Sequence, residues 1–129
     1  MRRPRIIPVL LVDNKKLIKT IHFTNPKYLG DPINALKIFN EKGVDELCVI
    51  DKSARYNGKG IDYEYLKSIA SEAFMPLSYA GGVNSIDEIR KIISLGFEKV
   101  IINSSLYFNP SLITKAAEIA GSQSVVVSI

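Results

Sequence analysis

The chain has 129 residues, of which 47% are hydrophobic and 23% charged, and its net charge is +4. This length predicts one domain with a genuine core, and the composition is that of an ordinary globular protein. The positive charge is spread along the chain, so it gives no reason to expect a nucleic-acid partner. No apolar run is long enough to cross a bilayer and no signal-peptide core follows the first residues, so we expect no membrane partner and a cytoplasmic location.

The single cysteine and the single histidine limit the chemistry that the chain can support. Cys48 lies inside an apolar run, so we expect a buried, inert thiol and a reducing compartment. His22 lies in a long loop and is expected to face solvent. One histidine and one cysteine cannot supply a transition-metal site, and no feature predicts a cofactor.

The first third of the chain predicts a strand, a long loop and a helix. Residues 5–12 have the pattern of a strand, and residues 13–30 form a loop in which residues 17–23 could make a small hairpin. Asp31 is a suitable N-cap for a helix that ends just before Gly43.

A second strand and a second helix follow. The almost continuously apolar segment 46–51 predicts a strand buried on both faces. The basic, glycine-containing segment 52–60 predicts a mobile loop, and residues 62–73 predict an amphipathic helix.

A pair of adjacent glycines stands at the centre of the sequence. A third strand over residues 75–80 runs directly into Gly81 and Gly82, which allow a sharp turn and a close approach of backbone N–H groups to a ligand. Ser85 and Glu88 have capping-box spacing, so a helix begins beside this turn with its positive end towards it. This arrangement favours a phosphate, although a tight turn without a ligand would need the same residues.

The last part of the chain repeats the same unit and ends in a strand. Residues 99–103 predict a fourth strand, residues 109–120 a fourth helix, and residues 124–129 a fifth strand. This alternation is typical of βα units with a parallel sheet. The predicted fold is therefore α/β, either half of a (β/α)8 TIM-type barrel or an open five-stranded sheet.

Both architectures bind ligands at the carboxyl ends of their strands. The residues at those ends are Asp51, Gly81, Gly82, Asn103 and Ser104. Polar side chains beside a glycine turn favour an anion more strongly than the turn alone, so the sequence predicts a phosphate site there.

Seven segments of the chain carry a family resemblance: Arg5-Ile-Ile-Pro, Gly30-Asp-Pro, Val44-Asp-Glu-Leu, Ala80-Gly-Gly, Lys99-Val-Ile-Ile-Asn103, Asn109-Pro-Ser-Leu-Ile-Thr and Gly121-Ser-Gln-Ser-Val-Val-Val. In one register along the whole chain they resemble the cyclase (synthase) subunit of imidazole glycerol phosphate synthase, an enzyme of histidine biosynthesis. The resemblance covers the first half of that family's barrel, so it implies a single half-barrel domain over residues 1–129. It also implies a partner glutaminase, whose ammonia passes through the barrel to a phosphorylated substrate.

The resemblance assigns roles at the upper end of the barrel, position by position. Gly82, Asn103 and Ser104 match one of the family's two phosphate sites. Asp51 matches an acidic residue at the barrel mouth, and Lys19 matches a loop lysine near the substrate.

It also assigns roles at the lower end. Arg5, Glu46 and Lys99 match three of the four charges that surround the ammonia entrance, and Glu98 lies where the family meets its glutaminase. Without the resemblance, the same residues would be read as ordinary charges at the starts of strands.

The chain departs from the family at the catalytic pair. The family uses two aspartates as general acid and base. Leu11 stands at the position of the first, and the second would follow directly after Ile129. Asp13 has the strand parity of Leu11 but lies about 6–7 Å further along at about 3.3 Å per residue, so it is a poor substitute.

Three functions remain open on the sequence. The first is a cyclase-type protein of histidine biosynthesis. The second is a branch of the family linked to surface-polysaccharide (lipopolysaccharide) biosynthesis, in which the ammonia goes to a sugar; the segment Lys27-Tyr-Leu-Gly-Asp-Pro resembles that branch and the absence of an aspartate at residue 11 is expected there. The third is a non-enzymatic half-barrel fragment.

Self-association is a further expectation for a half barrel. Its two outer strands would leave unpaired edges, and its inner face would be apolar, with side chains that include Val9, Leu11, Val49 and Ile101. Such surfaces favour association, so the sequence predicts a homodimer formed through the strand edges.

Overall fold

A computed structural model describes residues 3–22, 24–56 and 60–129 as a single mixed sheet covered by helices. The strands are β1 (Val9–Asp13), β2 (Lys16–Ile21), β3 (Thr24–Gly30), β4 (Leu47–Asp51), β5 (Leu77–Ala80), β6 (Lys99–Ile102) and β7 (Val125–Val127). The helices are α1 (Pro32–Lys42), α2 (Ser53–Tyr56), α3 (Tyr63–Glu72), α4 (Ile86–Ser94), α5 (Ser105–Phe108) and α6 (Ser111–Ala120), followed by a 3-10 turn at Ser122–Ser124.

The order of the strands is that of a barrel opened along one side. The strands lie in the order β3-β2-β1-β4-β5-β6-β7 across the sheet. Five of them are parallel to one another, namely β1, β4, β5, β6 and β7. Each parallel strand therefore lies beside the next one in the chain, with a helical crossover between them. This is the winding of a (β/α)8 barrel, and the half-barrel prediction is confirmed.

One face of the sheet carries the hydrophobic core. Side chains of alternate strand residues on this face contact the helices, and the most buried of them are Leu10, Val12, Leu47, Val49, Leu77, Tyr79, Val100 and Ile102. The helices contribute Leu36, Leu66, Ile69, Ile89, Ile92, Leu112 and Ala116 to the same cluster. Because all the long helices pack on this one face, the described helices leave the opposite face of the sheet without a covering layer.

That opposite face corresponds to the inside of a barrel. Strand register aligns Leu11, Ile50, Ala80, Ile101 and Val126 in one row across the five parallel strands. All five side chains are at least partly exposed. The row is the apolar inner face that the sequence predicts.

The prediction that Val49 lies on the inner face is wrong. Val49 is 1% exposed and belongs to the core beneath the helices. The apolar run Leu47–Ile50 shows no polar alternation from which its parity could be read, so only the strand pairing shows which residues point inward.

The helix caps follow the sequence closely. The Asp31 side chain accepts a hydrogen bond from the Ile33 N–H, and Gly43 ends α1 in the left-handed region with φ +66°. At α4 the Glu88 N–H donates to Ser85 Oγ at 3.2 Å, and the Glu88 carboxylate accepts from the Asn84 N–H at 3.1 Å. The predicted capping box is therefore formed, with its return bond one residue before the cap.

The loops contain more structure than predicted. In place of a long loop with a small hairpin at residues 17–23, β2 and β3 form a larger hairpin that extends the sheet beside β1; Phe23 itself lies outside the described residues. The segment predicted as a mobile loop after β4 begins with the short helix α2, and its residues 57–59 lie outside the described residues. The predicted outer strands are shorter than expected, because Val9 begins β1 and Val127 ends β7.

Candidate functional site

The glycine turn at the carboxyl end of β5 is tightly enclosed. A side chain on Gly81 would place its Cβ 2.5 Å from the Asp51 carbonyl oxygen and 2.8 Å from the Tyr79 hydroxyl. A side chain on Gly82 would meet the Ala54 carbonyl oxygen at 3.2 Å. The two φ angles, +145° and +63°, also lie in the region that favours glycine. Glycine is therefore needed here to let the ends of β4 and β5 approach each other.

Two hydroxyl groups hold the backbone of this turn. The Tyr79 hydroxyl donates a hydrogen bond to the Gly81 carbonyl oxygen at 2.9 Å. The Ser105 hydroxyl donates to the Val83 carbonyl oxygen at 2.7 Å, and this bond connects the loop after β6 to the loop after β5. Neither role is predicted from the sequence: a tyrosine in an apolar strand reads as a core residue, and no sequence pattern relates a serine to a carbonyl 22 residues away.

The predicted phosphate-site residues lie on neighbouring strand ends. Ala80 pairs with Ile101, so Gly82 and Asn103 follow that pair at the same distance along their strands. Asn103 is exposed, whereas Ser104 is partly buried and precedes the short helix α5. The structure thus brings Gly81, Gly82, Asn103 and Ser104 to one edge, beside the N-terminus of α4.

Asp51 lies at the same edge, but its side chain has a structural partner. It is 7% exposed, and its Oδ1 accepts hydrogen bonds from the Ser53 N–H at 2.9 Å and the Ser53 hydroxyl at 2.6 Å. Its register partner is Val12, a core residue, so the carboxylate points to the helix side of the sheet. These contacts show Asp51 holding the start of α2, and a cleft of about 530 Å³ lies between it and Tyr65.

Lys19 lies away from the glycine turn in sequence and on a separate element. It is exposed in β2, where it pairs with Lys27 of β3. The hairpin joins the carboxyl end of β1 through the pairs of Val12 with Leu17 and Asp13 with Lys16. No direct contact between Lys19 and the glycine turn is present among the described residues.

A charged cluster occupies the opposite, amino-terminal end of the sheet. Glu46 is 2% exposed and lies between two cations. Its carboxylate is 3.1 Å from Lys99 Nζ and 3.4 Å from Arg5 Nη2. The structure therefore brings together the three residues that the resemblance places at the ammonia entrance. Because Arg5 and Lys99 keep access to solvent, the cluster forms a charged surface at the base of the inner face.

Glu98 lies beside this cluster at the same end of the sheet. It is exposed, and it borders a cleft of about 490 Å³ whose other lining residues include Phe97, Gln123 and Ser124. Its backbone N–H donates to the Leu77 carbonyl oxygen at 2.8 Å, so the position of the loop is fixed.

The inner face holds no carboxylate at the position of the family's first aspartate. Leu11 and Asp13 both have intermediate exposure on this face, as their shared parity predicts. Leu11 lies in the row with Ile50, whereas Asp13 is at the end of β1 and pairs with Lys16 of the hairpin. Asp13 is therefore displaced towards the hairpin and does not occupy the place of residue 11.

The remaining singled-out residues lie outside the candidate site. Cys48 is buried as predicted; desolvation raises the pKa of its thiol, and a hydrogen bond with Ser78 opposes this effect. His22 is exposed in the turn between β2 and β3. Within residues 3–22, 24–56 and 60–129, no three metal-ligating side chains cluster, and no helix is long and apolar enough to span a membrane.

Comparison with known proteins identifies the family. The model of the family described as "Histidine biosynthesis protein" matches residues 5–129. A Leptospira interrogans protein provisionally named as imidazole glycerol phosphate synthase subunit HisF is 50% identical over all 129 residues, which is 51% of its own length. A Pseudomonas aeruginosa protein with the provisional name hisF2 is 49% identical over 129 residues and 51% of its length.

A relative whose name carries no such qualification is also similar. The Clostridium botulinum (strain Langeland) protein named imidazole glycerol phosphate synthase subunit HisF is 42% identical over 125 residues, which is 97% of this chain and 49% of that protein. The chain spans about half the length of the curated relatives that it matches. The half-barrel sheet and these matches agree, and the chain belongs to the histidine biosynthesis family of HisF-like proteins.

Proposed function

We propose that this chain binds a phosphorylated ligand at the glycine turn and accepts ammonia from a glutaminase partner at the opposite end of its sheet. In this proposal it is a protein of the imidazole glycerol phosphate synthase cyclase type that lacks a carboxylate at residue 11. The observation that carries the proposal is the connection of the two loops at the glycine turn, through the Ser105 hydroxyl and the Val83 carbonyl.

The phosphate half of the proposal is supported by three kinds of donor at one edge. The positive φ of Gly82 turns the backbone sharply beside the N-terminus of α4, where helix N–H groups favour an anion. Asn103 follows the neighbouring strand and presents an exposed amide, and Ser104 adds a hydroxyl. The segments from Ala80 to Asn84 and from Asn103 to Ser111 contain no acidic residue. The neighbouring carboxylates already have partners, since Asp51 accepts from Ser53 and Glu88 accepts from the Asn84 N–H.

The ammonia half of the proposal is supported by the charged cluster at the other end. The Glu46 carboxylate is 2% exposed and contacts two cations. Burying such a charge is costly, and here it forms an ordered polar group at the base of the inner face. The exposed Glu98 and the cleft beside it offer an acidic docking point for a basic side chain of the glutaminase. The small residues Ser78 and Ala80 lie on the inner face between the two ends.

The experiment that tests this function follows the nitrogen atom. The purified chain is supplied with a glutaminase subunit of this enzyme type, glutamine labelled with 15N in its side-chain amide, and the phosphoribosyl-formimino substrate of the cyclase. We expect the chain to co-elute with the glutaminase, and separate elution would contradict the coupling. Because a leucine cannot transfer protons, we expect no labelled imidazole glycerol phosphate, and losing one general acid or base typically costs about 10² to 10⁴ in rate. Efficient formation of labelled imidazole glycerol phosphate would contradict the proposed lack of a working acid–base pair.

A second candidate function is favoured by Leu11 itself. If the ammonia is passed on for amidation of a surface-polysaccharide sugar, the inner face needs no carboxylate at this position, and the apolar row around Leu11 is compatible with that role. The same 15N experiment, repeated with a sugar amidotransferase, its sugar substrate and the nucleoside triphosphate that activates the acceptor carbonyl, distinguishes the two. Labelled amidated sugar without labelled imidazole glycerol phosphate supports amidation, and unlabelled sugar argues against it.

A further inference from the structure

We propose that Tyr79 is a positioning residue for the anion site, and that its hydroxyl orients the peptide plane whose N–H group faces the ligand. This inference rests on the phosphate site proposed above and assigns a cause to the geometry of that site. The Tyr79 side chain is expected not to touch the ligand, since it is fully buried beneath the glycine turn.

The Tyr79 ring has a fixed position in the core. Tyr79 is 0% exposed and pairs in register with the core residues Val49 and Val100. Its ring packs edge-on against Phe97, with the centroids 6.0 Å apart and the planes at 84°. A side chain held in this way offers its hydroxyl at one point only, which is 2.9 Å from the Gly81 carbonyl oxygen.

The planarity of the peptide bond sets the direction of the Gly82 N–H. In a trans peptide the carbonyl oxygen of one residue and the N–H of the next point in opposite directions. All the peptide bonds of the described residues are trans. When Tyr79 holds the Gly81 carbonyl on the core side, the Gly82 N–H must therefore point away from the core. It then faces the solvent at the carboxyl ends of the strands.

The far end of the turn is fixed in the same manner. The Ser105 hydroxyl holds the Val83 carbonyl at 2.7 Å, and the N–H of the next residue, Asn84, donates to the Glu88 carboxylate at 3.1 Å. Two of the three peptide planes between Gly81 and Asn84 are thus oriented by side chains. Glycine alone would leave these planes free to rotate, because it adopts many backbone conformations with similar energy.

The surroundings of the Tyr79 hydroxyl determine whether it carries a proton. Burial raises the pKa of Tyr79 far above that of a free tyrosine, and the negative charge of Asp51 raises it further. The hydroxyl therefore keeps its proton under all physiological conditions and acts as a permanent donor. A backbone N–H that is oriented before the ligand arrives does not have to be ordered on binding, and such preorganisation strengthens binding.

The test compares Tyr79→Phe with a matched variant at another tyrosine whose hydroxyl is buried. Tyr79→Phe keeps the ring and removes only the hydroxyl. Tyr65→Phe is the control, because the Tyr65 hydroxyl is also buried but has no hydrogen-bond partner among the described residues. Inorganic phosphate is titrated into each protein, and the amide signals of residues 81–84 are followed by NMR.

The inference predicts that Tyr79→Phe binds inorganic phosphate about three- to tenfold more weakly than wild type, which is the effect of one lost hydrogen bond. Tyr65→Phe should bind as wild type. Backbone order parameters of Gly82 and Val83, measured by 15N relaxation without phosphate, should fall in Tyr79→Phe and stay unchanged in Tyr65→Phe. Ser105→Ala is predicted to weaken phosphate binding in the same direction, and it provides the test if Tyr79→Phe does not fold.

The outcomes separate this inference from the proposed function. If wild type shows no saturable change at residues 81–84, the phosphate site is wrong and the positioning role is wrong with it. If wild type binds phosphate and a folded Tyr79→Phe binds it equally well, the site stands and the positioning role is overturned. Where Tyr79→Phe does not fold, equal binding by Ser105→Ala overturns it. Unchanged backbone order parameters at Gly82 in a folded Tyr79→Phe would also contradict the inference.

Discussion

At the scale of single residues, Gly81 shows most clearly why the sequence has a glycine where it does. Its φ is +145°, and an added Cβ would lie 2.5 Å from the Asp51 carbonyl oxygen. Gly30 has nearly the same φ, +152°, but no heavy atom lies within 4 Å of its added Cβ. Substitutions at the two positions therefore distinguish the cost of backbone strain from the cost of steric crowding.

The first prediction uses this pair. Gly30→Ala should destabilise the protein by about 1–3 kcal/mol, the usual cost of a residue held in a sparsely populated backbone region. Gly81→Ala should cost about 1–3 kcal/mol more, because the new methyl group also overpacks the junction of β4 and β5. Urea unfolding measures both, and equal losses for the two variants would contradict the close packing at Gly81.

Glu46 is the second residue whose surroundings give a definite expectation. Its carboxylate is buried between Lys99 and Arg5, whose side chains are 31% and 51% exposed. Glu46→Gln should lower the free energy of unfolding by about 1–3 kcal/mol, as expected for charged hydrogen bonds lost at a buried position. Asp62→Asn is the matched control, because it removes a charge from the exposed pair with Lys15 while keeping a side chain able to cap α3.

Chemical denaturation of the two variants decides this prediction. The control should stay within about 0.5 kcal/mol of wild type, as is usual for exposed ion pairs. If Glu46→Gln is as stable as Asp62→Asn, the carboxylate is not held by its two cations in solution.

At the scale of elements, the helices and the parallel strands could be predicted from the sequence. The face of the sheet to which each strand residue points could not. The caps at Asp31 and Ser85 have local signatures, and the structure confirms both. The β2–β3 hairpin was underestimated because β3 contains Pro26 and its register shifts against β2, so its pattern does not resemble a regular strand.

In the candidate site, the positions of the residues at the strand ends could be predicted, but the contacts of their side chains could not. Gly81, Gly82 and Asn103 could be placed at one edge, since parallel strands bring their carboxyl ends together. The direction of the Asp51 carboxylate could not be predicted, because a continuous apolar strand does not reveal its parity. The Ser105 bond to Val83 also required the folded chain, because its donor and acceptor come from different βα units.

The third prediction concerns the helix that begins beside the glycine turn. Ser85→Ala removes the hydroxyl that accepts from the Glu88 N–H, and it should cost about 1 kcal/mol. Ser94→Ala removes a hydroxyl at the other end of α4, which donates only to the Lys91 carbonyl, and it should change stability by less than about 0.5 kcal/mol. Thermal unfolding of both variants tests this, and an equal effect at the two ends would argue against the cap.

At the scale of the whole molecule, the sheet has a covered face and an exposed one. The inner row includes Val126, which lies in the last strand and is 37% exposed, and the outer edge of that strand pairs with no other described strand. At the other side, the β2–β3 hairpin joins β1 only at its carboxyl end. Unpaired edges and an apolar face favour association between copies.

The fourth prediction is that the 129-residue chain forms a dimer or a larger assembly at micromolar concentration. Val126→Lys places a charge on the inner face at the edge strand, and it should shift the protein towards the monomer. Ile119→Lys is the control, because Ile119 is 45% exposed on α6, on the covered side of the sheet. Sedimentation velocity measures all three proteins, and a monomeric wild type would contradict the prediction.

The central claim is that the edge formed by the glycine turn and the end of β6 binds a phosphate group. The most direct measurement is a titration of the wild-type chain with inorganic phosphate, in which every backbone amide is followed by NMR, alongside Asn103→Asp. We predict saturable changes concentrated at Gly82, Val83 and Asn103, and their loss in Asn103→Asp because the new carboxylate repels the anion. Changes confined to other surfaces, or an Asn103→Asp variant that binds phosphate as wild type does, would contradict the account.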